Sequence, residues 1–242
     1  VQTVNCEPGM FDVVIVDEAS QSGPEALLLN YIADKMIVVG DDKQIAPRYI
    51  GVNRDDVTRL RQMHLSEIPH SEAFDLDGSL FSLANLRFSA KVRLREHFRC
   101  MPEIIQFSNR LSYETEPLIP LRQFGAGRLE PCKTTHVPEG YREGKSSNVV
   151  NKPEAAKLVD QIAQCVEDER YEGKTFGVIT LLGQAQKSVI EDLLVQHIGV
   201  EEIERRELLC GRAYDFQGAE RDVIFLSMVD APVEGGMLRM VR

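Results

Sequence analysis

Apolar residues in this chain fall into short continuous runs, several rich in β-branched side chains, and stretches of helical spacing lie between some of them. The runs at 11–16, 35–39, 176–180 and 223–227 have strand length and are bounded by Asp, Gly, Ser and Pro, which predicts strands buried in a parallel sheet. Residues 151–169 carry Ala155, Leu158, Val159, Ile162, Ala163 and Val166 on one helical face, with Asn151 or its neighbour as the cap. Further helices are expected near 186–196 and from Pro102, a residue suited to a first helical turn. The latter should follow a strand at 91–94 that leads through Arg99. Asp77-Gly78-Ser79 reads as a turn before an apolar segment that starts at Leu80. Residues 121–150, with four glycines and two prolines before Ser146-Ser147, read as an irregular excursion. The alternation predicts an α/β protein of parallel strands joined by right-handed crossovers.

Two of these strands deliver polar residues where open parallel sheets bind ligands, at the carboxyl edge. The first run ends in Asp17-Glu18. In nucleoside-triphosphate hydrolases such a pair divides two tasks: one carboxylate holds Mg²⁺ through water, and the other polarises the attacking water. The plain alternative is a solvated loop or a helix cap. The second run enters Gly40-Asp41-Asp42-Lys43-Gln44-Ile45-Ala46-Pro47. Gly40 permits a tight turn, Asp41 accepts from a neighbouring loop or a metal-bound water, and the neutral Gln44 both donates and accepts, as suits sensing of phosphate or water.

With these residues in view the chain resembles superfamily 1 helicases, in the branch that contains senataxin and the nonsense-mediated-decay helicase. Asp17-Glu18-Ala19-Ser20-Gln21 resembles Walker B (motif II), and the loop from Gly40 to Pro47 resembles motif III. The segment from Leu94 through Arg99 and Pro102 to Asn109 resembles motif IV. Gly177-Val178-Ile179-Thr180 with Gln186 is similar to the stretch before motif V, which itself resembles Asp215-Phe216-Gln217-Gly218-Ala219-Glu220 and the residues after it. The resemblance implies two RecA-like parallel-sheet lobes of the P-loop NTPase type, both incomplete: a partial first lobe at 1–89 and a second at 90–242. The phosphate loop Gly-x-x-x-x-Gly-Lys-Ser/Thr and the arginine-bearing motif VI do not occur in the 242 residues. The chain is therefore expected to be an internal fragment, inactive alone, whose N- and C-terminal remainders belong to the same protein. Ala46 stands where the family usually has Pro, and Arg212-Ala213 stand where motif V usually has Thr.

The resemblance implies that ATP and Mg²⁺ are used and that hydrolysis drives movement on single-stranded DNA or RNA. Asp17 holds the metal shell, Glu18 acts as base or orients water, Gln44 reports the γ-phosphate, and Arg99 supplies charge from the opposite lobe. Asp41, Gln217, Gly218 and Glu220 are the expected nucleotide contacts. Two rival readings are a non-catalytic helicase-like scaffold and, with fewer carboxylates than two metals need, a nuclease or phosphatase using Asp17, Glu18 and Asp41.

Composition changes this picture little. With 242 residues, 43% hydrophobic, the chain is long enough for a substantial core, and no apolar run approaches the ~20 residues that span a bilayer. The five cysteines and five histidines are scattered without metal-ligand spacing, so reduced thiols, no structural metal, no membrane and a cytoplasmic location are expected. A net charge of −10 argues against broad binding to duplexes. Arg54, Arg59 and Arg61, and Arg87, Lys91, Arg93 and Arg95, form local cationic groups whose favoured reading is a solvated face.

Overall fold

A computed structural model describes residues 6–44, 49, 51–122, 125 and 127–233, excepting the side chain of Ser146. Ile45, Ala46 and Pro47 of the second polar loop lie outside the described residues. The chain divides by its contacts into two compact units, Val1–Gln123 and Phe124–Arg242. The division expected at residue 89 falls within the first of them.

In the first unit, β1 (Phe11–Val16) passes through a 3₁₀ turn at Pro24–Leu28 and the short α1 (Leu29–Ile32) into β2 (Ala33–Val38). β2 lies parallel to β1, in register from Phe11 opposite Ala33 to Val16 opposite Val38. Parallel strands are usually covered on both faces, yet Phe11, Val13 and Ile15 are exposed, Ile15 by 66%. The reason is the narrowness of the sheet: it has two strands, and no described residue covers this face. α2 (Arg54–His64) is capped by Asn53, whose side chain accepts from the Asp55 N–H at 2.9 Å. α3 (Leu80–Arg87) begins with a reciprocal cap in which Ser79 and Ser82 side chains each accept from the other's backbone N–H. It buries Leu80, Leu83 and Ala84.

The strand expected at 91–94 lies slightly later and is shorter. β3 (Glu96–His97) pairs in parallel with β4 (Ile119–Pro120), on the far side of α4 (Pro102–Ser112) in the chain. Strand structure begins where a partner exists: the Arg95 carbonyl accepts from the Ile119 N–H at 2.7 Å, and ahead of it Arg93 pairs with Glu116 through its side chain, while the Arg95 side chain donates twice to the Pro117 carbonyl, at 3.1 and 3.0 Å. Other members of the cationic groups are tied locally in the same way, Arg54 to Asp77 and Arg87 to the Pro69 carbonyl. The helix starting at Pro102 is as expected.

The second unit holds the larger core. α5 (Lys152–Glu167) is capped by Asn151, which accepts from the Glu154 N–H at 3.1 Å. β5 (Phe176–Thr180), α6 (Gln184–His197), α7 (Val200–Arg205), β6 (Leu209–Gly211) and β7 (Val223–Ser227) follow, and the sheet order is β6-β5-β7, all parallel. Ala155, Leu158, Val159 and Ile162 of α5 pack with Phe176 and Val178 of β5 and with Ile190 and Leu194 of α6. β5 is central and buried, as its apolar run implies. β6 and α7 carry no clear sequence signal: three residues are too few for periodicity, and Leu209–Gly211 becomes a strand by pairing with Gly177 to Ile179. The described residues of the span 127–150 are irregular, apart from a 3₁₀ turn at Ser146–Asn148 and bridges between Glu143 and Val150 and between Arg142 and Val233. Among the described residues no helix is long and apolar enough to cross a membrane.

Phe176 is fully buried, meets Tyr171 and Phe225 edge to face, and has the Arg206 guanidinium 5.0 Å from its ring centroid. Truncation here opens a cavity and strips Arg206 of its aromatic support. Phe176→Ala should destabilise the second unit by about 3–5 kcal/mol, read as a lower urea midpoint. A midpoint within experimental error of the parent would contradict this account of the core.

Candidate functional site

The sheet register extends past the strand ends and fixes two loops side by side. Val39 N–H donates to the Val16 carbonyl at 2.9 Å, and Ala19 N–H donates back to the Val39 carbonyl at 2.8 Å. Asp17 and Glu18 therefore leave the sheet beside the segment 40–44. Ala19 and Ser20 turn inward and are buried, and the Ser20 hydroxyl accepts from the Asp41 N–H at 2.6 Å. Gly40 allows this approach, since a Cβ there would lie 2.7 Å from both the Ser20 hydroxyl and the Phe81 ring. The first loop is also held from below, because the Leu80 and Phe81 N–H groups at the start of α3 donate to the Ser22 and Ala19 carbonyls, at 2.7 and 3.2 Å.

Within this frame the carboxylates differ in their restraints. Asp17 Oδ1 accepts from the Glu18 N–H at 2.8 Å, and Glu18 Oε2 accepts from the Gln21 side-chain amide at 3.2 Å. Glu18 has φ of 50°, a left-handed conformation uncommon for a residue with a Cβ, and it is a position of local strain at the sheet edge. Asp41 is the most constrained. Its Oδ1 accepts from the Lys43 N–H at 2.9 Å, closing the turn 41–44 in which the Gln44 N–H donates to the Asp41 carbonyl at 3.2 Å. Its Oδ2 accepts from the Tyr113 hydroxyl, just beyond the end of α4. Burial, and secondarily the bond to Asp41, raises the Tyr113 phenol well above its usual range. Asp17, Glu18 and Gln44 are exposed.

The structure brings Asp17, Glu18, Asp41 and Gln44, the residues expected from the two strand ends, to one edge of one sheet. Sequence reasoning did not find Ser20 or Tyr113 as partners of Asp41. Ser20 had a signal in its position after the Asp-Glu pair, whereas a lone tyrosine 72 residues from Asp41 had none. Arg99 lies in the connection from β3 to α4, exposed, in the first unit with the carboxylates. Its carbonyl accepts from Arg122 at 2.8 Å.

In the second unit, Gln217, Gly218 and Glu220 lie between β6 and β7. Gly218 has φ of 72°, which glycine meets without penalty. The next residues are pinned to the amino end of the sheet: Arg221 Nε donates to the Glu207 carbonyl at 2.8 Å, and Asp222 accepts from the Thr175 N–H at 2.9 Å. Gln186 is fully buried rather than exposed to a ligand. Its amide accepts from the Asn151 N–H at 2.8 Å and donates to the Asn151 carbonyl and the Ser227 hydroxyl, at 3.2 and 3.1 Å. It joins α5, α6 and the end of β7.

No group of three or more His, Cys, Asp or Glu side chains among the described residues gathers as a metal cage. The exposed carboxylate of Asp17 at the sheet edge is an oxygen donor of the kind Mg²⁺ takes, one or two such carboxylates sufficing beside substrate phosphates and water.

Residues 76–238 match the family described as AAA domain, more than half of the chain. The chain belongs to the AAA domain family. The matched part holds Arg99, Gln217, Gly218 and Glu220, while Asp17 and the 40–44 turn precede it. Similar curated proteins extend over that earlier part too. They include the human "DNA replication ATP-dependent helicase/nuclease DNA2", 25% identical over 96% of this chain, and the mouse "5'-3' DNA helicase ZGRF1", 28% identical over 90%. The human "Probable helicase senataxin" is 26% identical over 91% of the chain. These names bear out the resemblance to superfamily 1 helicases read from the motifs. The chain spans 23%, 11% and 8% of the three relatives' own lengths.

His97, at the start of the Arg99 connection, accepts through Nε2 from the Cys100 N–H at 2.9 Å, which requires a neutral ring. Burial, and then the Arg99 charge, lower its pKa from 6.5. The unfolded chain takes up this proton first as pH falls, so the stabilisation is complete above the unfolded value and is lost as pH falls through the lowered folded one. Histidine NMR titration should place His97 below 6.5, and His97→Gln should flatten the fall in stability over that window. A titration at or above the ordinary value would refute the assignment.

Proposed function

We propose that this chain is part of an ATP-dependent nucleic-acid helicase or translocase, which couples ATP hydrolysis to movement on single-stranded DNA or RNA. The observation that carries the reading is the pair of loops joined by the Asp41 N–H and the Ser20 hydroxyl, which sets Asp17, Glu18 and Gln44 at one carboxyl edge. The family match and the helicase names of the relatives support it. Asp17 would hold Mg²⁺, and one of its oxygens is already oriented by the Glu18 N–H. When bound, the metal would supply charge that offsets the phosphates. Glu18 orients or deprotonates the attacking water, and its restraint by Gln21 limits where the carboxylate points. Gln44, on the turn closed by Asp41, senses the γ-phosphate.

Arg99 contributes the guanidinium that stabilises charge on the transferred group. Gln217, Gly218 and Glu220 are candidate nucleotide contacts of the second unit. The 242 residues contain no Gly-x-x-x-x-Gly-Lys-Ser/Thr cradle, so turnover is assigned to a longer protein and the isolated chain is inactive. A division into helicase lobes near residue 89 and a cytoplasmic location belong to the same reading.

Phosphate release from Mg²⁺-ATP, with and without a single-stranded oligonucleotide, tests the proposal in the full-length protein. Stimulated turnover is expected, and Glu18→Gln should lower kcat by about 10²–10⁴-fold. Arg99→Ala should lower kcat on the order of a thousandfold, with little loss of ATP affinity. Unchanged turnover in Glu18→Gln would overturn the assignment. Single-strand binding without turnover in the parent would identify a non-catalytic helicase-like scaffold.

A further inference from the structure

Asp41 is held from three directions, and one of them lies outside every motif read from the sequence. Its N–H goes to Ser20 of the first loop, its Oδ1 closes its own turn through Lys43, and its Oδ2 takes the Tyr113 hydroxyl. Tyr113 is the residue at which α4 ends; its own N–H still donates to the Asn109 carbonyl at 3.2 Å, so its backbone is fixed to the last helical turn. Asn109 in turn exchanges two hydrogen bonds with Leu118, at 2.9 and 2.8 Å, which secures that end of the helix against the approach to β4. The phenol is therefore mounted on a rigid base. At its other end α4 starts three residues after Arg99. A helix of this length is a rod of about 16 Å, stiff on the scale of a side-chain shift.

We infer that Tyr113 is a positioning residue, which through Asp41 fixes the turn carrying Gln44 and ties that turn to the helix following Arg99. The inference rests on the proposed ATPase reading for its role in turnover, but the link itself is a property of the fold. Without the phenolic hydroxyl, Oδ2 turns to water and Asp41 keeps its bonds to Ser20, Lys43 and the Gln44 N–H. The turn then samples more conformations, and Gln44 is in place for a smaller fraction of the time. Because the Tyr113 hydroxyl bonds to Asp41 and acts on Gln44 only through that turn, its loss should affect the chemical step through geometry more than nucleotide binding.

The test uses the full-length protein and Tyr113→Phe, which keeps the ring and removes the hydroxyl. Amide hydrogen exchange across residues 41–44 should quicken about fivefold, the expected result of releasing one hydrogen bond. kcat should fall about tenfold or more with KM for ATP within about twofold, as misplacement rather than lost binding predicts. Asp41→Asn should quicken the same amides, and adding it to Tyr113→Phe should give less than the product of the two single effects, the mark of a shared contact. A purely structural role would instead lower the unfolding midpoint and leave the exchange of 41–44 relative to the rest of the unit unchanged. That result, or multiplicative effects in the double variant, overturns the inference. A parent without ATPase but with Tyr113-dependent exchange at 41–44 retains the link and overturns the ATPase reading together with any role in turnover.

Discussion

The parallel register of β1 and β2, carried beyond the strand ends to Ala19 and Val39, is the constraint on which the candidate site depends. Parallel strands leave a sheet at the same edge, so pairing Val16 with Val38 obliges both following loops to emerge together. The bonds between Val39 and Val16, and between Ala19 and Val39, convert that tendency into a fixed relation. A slip of one residue would invert the side chains of β2 and separate Ser20 from Asp41. Gly40 and α3 then follow as requirements, the first because a side chain would collide, the second because its leading N–H groups need the carbonyls the loop offers.

The second unit is organised on a different principle. Its apolar core is larger, and its buried polar groups serve the scaffold rather than a ligand. Arg206, 2% exposed, meets Glu202 at 2.8 Å and the Tyr171 carbonyl while lying over Phe176. A buried guanidinium is costly unless its donors are satisfied, and here backbone carbonyls and carboxylates surround it. Gln186 acts similarly where α5, α6 and β7 converge. Both are expensive ways to join elements, and both define one arrangement rather than several.

These contrasts explain what was legible in the sequence. Runs such as Phe176–Thr180 and Val223–Ser227 and the helix capped by Asn151 combine period, length and end signals and fold as strands and helix, although Ile224 and Leu226 of β7 are exposed rather than buried. β6 could not be read, because a three-residue strand is specified by its neighbour and not by its own pattern. The strand expected at 91–94 moved for the same reason: Val92 and Leu94 favour extension, but the pairing with β4 runs from the Arg95 carbonyl through Glu96 and His97. At the site, Asp17 and Glu18 were visible from strand logic and Gln44 from the next loop. Tyr113 was invisible, since its partner is distant in sequence and the helix it ends has no polar signature facing that way. Gln186 stood out by resemblance, but sequence could not reveal that its amide would be enclosed.

The uncovered face of the first sheet bears on how the chain behaves in solution. Phe11, Val13 and Ile15 alternate onto it, and Ile37 stands opposite Ile15. Such a strip is adhesive between molecules, while the net charge of −10 keeps them apart. The two act over different ranges: charge repulsion is cut to a Debye length of about 8 Å at physiological salt, and apolar contact is not weakened by screening. Colloidal stability of the separated chain is thus a function of ionic strength, with dilute buffer favouring dispersed molecules and added salt favouring their association through β1 and β2.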